Sequence, residues 1–241
     1  MNRTARLLVF GVGAGPLAVL LIFADFWLPA FGGAVHPYRD RAVAGSLAHA
    51  TVNAVSSVNF DQRALDTSGE MTILLAAVLG AATLLRPGHG ERPTDPPEQP
   101  ILDAVRVAGV LLLPVTVLVG LTVIAHGHLS PGGGFQGGVV LATGLHLLYV
   151  AGSYPALRRL RPLTWYVYAE AASSAAFVLV GLAGLLAGAE FLANVLPHND
   201  FGALLSAGTV PLLNIVIGVE VCASVVVLLA AFLRAEVASR P

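Results

Sequence analysis

The chain contains no lysine; all thirteen of its basic residues are arginine, and charged residues of either sign make up 11% of its 241 positions. With a formal net charge of -1 and no basic cluster on an exposed helix, it offers no electrostatic footprint for nucleic acid. A single cysteine, Cys222, excludes an intrachain disulfide. No Cys-x-x-Cys or His-Glu-x-x-His pattern, P-loop, Gly-x-Ser-x-Gly elbow or dinucleotide fingerprint occurs, so the sequence calls for no cofactor and supports no enzymatic catalysis. His126 and His128 form a His-x-His pair, but two ligands do not make a metal site, and His146 lies well into the following helix.

What fills the space is apolar. At 56% hydrophobic residues and a mean hydropathy of +0.79, the chain has far more apolar surface than one soluble core could bury. Runs of about 20 apolar residues, the length that crosses roughly 30 Å of hydrocarbon, lie at Leu7 to Leu28, Thr67 to Leu85, Leu102 to Ala125, Phe135 to Ser153, Leu163 to Ala187 and Thr209 to Leu233. The expected fold is an all-α integral membrane protein of six helices, grouped two plus four. The first run, preceded by Arg3 and Arg6, exceeds the core of a cleaved signal peptide, and Trp27 suits an interfacial anchor, so it reads as an uncleaved span. Arg3, Arg6, Arg86, Arg92, Arg158, Arg159, Arg161, Arg234 and Arg240 fall on one side of this arrangement, and Arg39, Arg41 and Arg63 on the other. The positive-inside rule places both termini in the cytoplasm.

Two segments punctuate the spans. Pro87 to Pro100, with five prolines among Glu91, Arg92, Asp95 and Glu98, reads as an extended cytoplasmic linker. It joins a two-span module, residues 1–86, to a four-span module, residues 101–241; the first carries an external amphipathic segment, Ala42 to Phe60. Between the third and fourth spans, His126-Gly-His-Leu-Ser-Pro-Gly-Gly-Gly-Phe-Gln-Gly-Gly138 breaks the backbone. Lipid offers no partner to a free N–H or C=O, so irregular backbone at this depth persists only where protein or water covers it. A chain standing by itself in lipid is therefore not expected.

Four carboxylates invite a functional reading. Asp66 and Thr67 suit the N-cap of the second span, and Glu70 follows in its first turn; the group reads either as a capping box or as the outer mouth of an ion path continued by Ala77 and Ala81. Glu220 falls near the middle of the last span and Glu170 inside the one before it, where a carboxylate is costly unless it faces protein or water. Thr209, Glu220 and Ser224 share one face of the last helix, and Asn214, Gly218 and Cys222 another. Tyr166, Glu170, Ser174, Gly181 and Gly188 line one stripe of the fifth, which favours a packing seam for Glu170; Glu220 leans towards function.

His126-Gly127 followed by Pro131-Gly132-Gly133-Gly134-Phe135-Gln136-Gly137-Gly138 resembles the signature of the MnhB/MrpB family, one component of the Mrp-type (Mnh) multisubunit sodium/proton antiporters, with similarity from about Ile101 to Glu236. Asn59 to Arg86, with Asp66-Thr-Ser-Gly-Glu70, resembles the two-helix C-terminal extension of the A-type component of the same systems, which in membrane-bound hydrogenases is a separate small protein. The resemblance implies an accessory component of a prokaryotic plasma-membrane complex that exchanges Na+ for H+, with large antiporter-like subunits, small subunits and lipid as its partners. The family's proton relay uses lysine and glutamate in the large subunits, and a chain without lysine cannot supply it. Glu70 would lie near the sodium route. Two other readings remain open: a membrane-arm component of a redox-driven, hydrogenase-like ion pump, and a purely structural assembly module.

Overall fold

Apolar runs of span length leave the backbone one way to satisfy its own polar groups in lipid, the helix. In the computed structural model, which describes residues 3–28, 32–33, 35–85, 101–151 and 163–238, the regular structure is entirely helical. The helices are α1 (Arg3–Phe26), α2 (Pro37–Ala48), α3 (Ala54–Ser57), α4 (Ala64–Leu84), α5 (Asp103–Ala125), α6 (Gly134–Val150), α7 (Leu163–Leu186) and α8 (Val210–Ala238). Five of them, α1, α4, α5, α7 and α8, are long and apolar enough to cross a membrane, and α6 is a shorter apolar helix of 17 residues. The chain is thus an all-α membrane protein with about six spans. The linker Pro87 to Pro100, and Arg86, Arg92, Arg158, Arg159, Arg161 and Arg240, lie outside the described residues.

The chain divides into two compact units, Met1–Asp40 and Arg41–Pro241. The first holds α1, which buries none of its residues. An apolar helix without a partner in its own unit keeps its whole apolar circumference for surroundings outside that unit.

The second unit is organised around α8. Helix α8 is the most buried of the spans, because it alone packs on all of α4, α5, α6 and α7. Towards one end, Phe60, Met71, Phe177, Leu192, Leu213 and Ile217 close a core. Towards the other, Ala142, Leu145, Leu148 and Val226 form a second one. Helices α6 and α8 meet at their backbones: a Cβ on Gly134 would stand 2.5 Å from the carbonyl oxygen of Asn214, and one on Gly138 2.7 Å from that of Gly218. Only glycine permits this approach.

The second span departs from expectation at its start. It begins at Ala64, ahead of Thr67, because the external segment Ala42 to Phe60 does not end in a loop. That segment is the end of α2, then α3 and a wider turn over Val58–Gln62, in which Arg63 N–H reaches the carbonyl of Val58 at 2.9 Å. Thr67 is consequently inside the helix, and its hydroxyl donates to the carbonyl of Asn59 at 2.7 Å. The Thr67–Glu70 capping box is not formed; Arg63 occupies the N-cap and caps with no side-chain bond.

Candidate functional site

The glycine-rich break answers the question of where its free backbone groups go. After α5 ends at Ala125, Leu129 and Ser130 donate to the carbonyl of His126 at 2.8 and 2.9 Å, turning the chain back on itself. Gly132 and Gly133 then adopt φ of 129° and 133°, a region that side chains with a Cβ rarely enter. Two asparagines from distant parts of the chain hold the rest. The Asn53 amide donates to the carbonyls of Gly127 (2.8 Å) and Ser130 (2.9 Å), and its own N–H to the carbonyl of His128 (3.0 Å). Asn214, fully buried in α8, accepts from Gly134 N–H at 2.9 Å and donates to Ser56 Oγ at 3.1 Å and to the carbonyl of Val210 at 3.0 Å. The Asn53 side-chain oxygen Oδ1 also caps α3, accepting from the N–H groups of Val55 and Ser56. Front segment, break and last helix are therefore one hydrogen-bonded unit, with Ser56 next to both clamps. Of the motif residues, Gly127, Gly133, Gly134, Gly137 and Gly138 are buried, Gly132 and Phe135 half-buried, and His126, Pro131 and Gln136 exposed.

Histidines gather beside this clamp. His49 Nδ1 meets the buried carboxylate of Asp61 at 2.6 Å, and its ring stacks on that of His198 with centroids 4.5 Å apart. His128 is fully buried beside the backbone of Ala203 and Leu204, and burial pushes its pKa below the ordinary histidine value of 6.5. Among the described residues no group of three or more His, Cys, Asp or Glu is placed to hold a metal ion.

Inside the bundle, α7 and α8 bring two carboxyls together. Ser224 Oγ donates to Glu170 Oε1 at 2.5 Å, so Glu170 lies on the α7–α8 seam. Glu220, one turn before Ser224, is fully buried and neither of its oxygens makes a hydrogen bond; the Ser174 hydroxyl faces it without bonding geometry and is likewise unpaired. Glu220 and Ser224 are one turn apart on α8, so the Glu220 carboxyl and the Ser224–Glu170 bond face the same seam. The stripe of α7 is a seam within this chain, where Gly181 packs on the ring of Phe191.

The front carboxylates are different. Asp66 pairs with Arg63, and both are exposed. Glu70 is exposed on α4, and the lane it heads runs through exposed Ala77 to half-buried Ala81. The fold does not bring Glu70 to Glu170 or Glu220; the first is on an outward face and the other two are interior. Sequence reasoning passed over Asn53 and Asn194. The latter caps α8, accepting from Thr209 N–H at 2.7 Å and Thr209 Oγ1 at 3.1 Å. Asn53 has the sequence signal of an asparagine directly ahead of a helix, whereas Asn194 lies fifteen positions from the Thr209 it meets and has no such signal.

Known proteins match this architecture. Residues 104–227 match the family described as a domain related to the MnhB subunit of the Na+/H+ antiporter. An uncharacterised protein of Methanocaldococcus jannaschii is 31% identical over 200 residues, covering 71% of this chain and 73% of that one. A probable A/B component of a K+/H+ antiporter of Rhizobium meliloti is 25% identical over 240 residues, covering 89% of this chain but 23% of that protein. Among solved structures, a chain of the membrane-bound sulfane sulfur reductase, an archaeal respiratory membrane complex, superposes with a TM-score of 0.72 at 29% identity, covering 91% of this chain and 98% of the other. A chain of the Mrp complex from Dietzia sp. DQ12-45-1b shares the fold, with a TM-score of 0.68 at 23% identity, over 96% of this chain and 26% of the other.

Proposed function

The chain belongs to the family related to the MnhB subunit of the Na+/H+ antiporter, and from that premise we propose that it is an accessory membrane component of a multisubunit monovalent-cation/proton antiporter in a prokaryotic plasma membrane. Its work is to hold larger subunits together and to form part of the wall of the cation route. The observation that carries this reading is the clamped break: Asn53 and Asn214 fix irregular backbone between two spans, giving a rigid element on which other subunits can assemble. Exposed Glu70 on α4 supplies a carboxylate that a neighbouring protein can meet, and Asp66 lies just before it, beside the same outer end. The reading places both termini in the cytoplasm, treats residues 1–86 and 101–241 as fused modules, and assigns the chain no catalysis of its own.

Mild-detergent purification of the tagged chain from its native host, with mass spectrometry of what accompanies it, tests the reading. Co-purification of multi-span membrane proteins alone supports an antiporter. A second reading, a membrane-arm component of a redox-driven complex, is favoured by the near-complete coverage of a chain from a respiratory complex. Iron–sulfur proteins in the same purification would select it.

A further inference from the structure

We propose that Glu170 and Glu220 form an interior proton-binding site between α7 and α8 that holds one proton across two carboxyls and takes H+ in preference to a metal cation. The inference deepens the ion-path reading above and rests on these helices spanning a membrane. Two observations carry it. Glu170 is seated by the 2.5 Å bond from Ser224, so one carboxyl oxygen is fixed on the seam. Glu220 is fully buried beside it, with both oxygens unpartnered, an arrangement an ionised carboxylate does not tolerate in apolar surroundings.

Among the described side chains every arginine is exposed, so none is buried beside the pair. From the turn over Val58–Gln62 comes Asp61, already bound to His49. From α4 come Asp66 and Glu70, and from α5 Asp103 and Arg106, all exposed. From α6 come His146 and Tyr149 and from α7 Tyr166, each half-buried, and Cys222 of α8 is half-buried as well. Glu220 lies one helical turn before Ser224, whose hydroxyl holds Glu170, so two groups of the same sign share the seam. Two carboxylates sharing one enclosed site do not both ionise, so a proton resides on the pair.

A metal cation fits poorly. Hard cations ask for six or more oxygen ligands, whereas the geometry here sets the two glutamates beside Ser174 and Ser224, and the Ser224 hydroxyl already donates to Glu170. A proton needs one lone pair, and Glu220 has unpartnered oxygens to offer.

The test is infrared spectroscopy of the purified whole complex in lipid nanodiscs near neutral pH. The expected result is the carbonyl stretch of a protonated carboxyl in apolar surroundings, lost by the equivalent of one group in Glu220→Gln and shifted in Glu170→Gln. Saturating sodium or potassium chloride should leave the wild-type band unchanged, a measurement that needs no variant. Loss of the band on adding either cation overturns the proposal in favour of a cation site. Loss of carboxylate stretches alone in Glu220→Gln overturns it in favour of an ionised glutamate. The spectrum is independent of transport, so a complex that proves to be redox-driven leaves this result standing by itself.

Discussion

Replacing Asn214 with alanine removes three hydrogen bonds from a site with no exposure to solvent: those to Gly134 N–H, Ser56 Oγ and the carbonyl of Val210. The Gly134 N–H carries most of the effect, because a buried donor left without an acceptor costs roughly 1–3 kcal/mol. Ser56 loses a partner, whereas Val210 keeps its helical one, so the total is on the order of 2–4 kcal/mol. Asn53→Ala orphans two carbonyls and a cap, but Asn53 is half-buried and water can replace much of what is lost, which brings the expectation down to about 1–2 kcal/mol. Both clamps bear on the same break and on Ser56, so the double variant should deviate from additivity by about 0.5 kcal/mol or more. Equilibrium unfolding of the complex in mixed micelles, followed by tryptophan fluorescence, measures all three. An Asn214→Ala loss under about 0.5 kcal/mol, or one smaller than that of Asn53→Ala, refutes the view that the buried clamp secures the break.

Three further outcomes follow from the same geometry. Glu70→Ala in an otherwise intact complex is expected to abolish sodium-dependent proton movement while leaving assembly unchanged on native gels; full exchange in that variant removes Glu70 from conduction. Gly138→Leu should cost about 3 kcal/mol or more, since even its Cβ would stand 2.7 Å from a backbone carbonyl of α8, and the thermal midpoint of the complex reads this directly. Burial lowers the pKa of His128 in the folded state, so the unfolded chain binds protons more readily. Its contribution is complete above the ordinary value of 6.5 and is lost as pH falls through and below it; the midpoint should drop more steeply between pH 7 and about 5 in the wild type than in His128→Gln.

The spans were legible because a 20-residue apolar run has few alternatives, and the break because three consecutive glycines after His-x-His cannot continue a helix. The cap of α4 was not, for a local reason: the turn over Val58–Gln62 starts the helix early and carries the Thr67 hydroxyl to Asn59 in place of Glu70. The clamp was hidden for a different reason. Asn53 meets Gly127 across 74 positions and Asn214 meets Ser56 across 158, and no local pattern encodes such pairings. Glu170 and Glu220 stand between these cases. Helical periodicity put Glu220 and Ser224 on one face of α8, but only packing of α7 onto that face decides that Ser224 serves Glu170 and leaves Glu220 unpaired.

The most direct test of the account is cation-driven proton movement in everted membrane vesicles from the native host, with the chain deleted and then restored. Dissipation of an imposed pH gradient on adding sodium or potassium chloride should be present in the wild type, absent in the deletion and recovered on restoration. Unchanged dissipation without the chain would contradict its place in an antiporter.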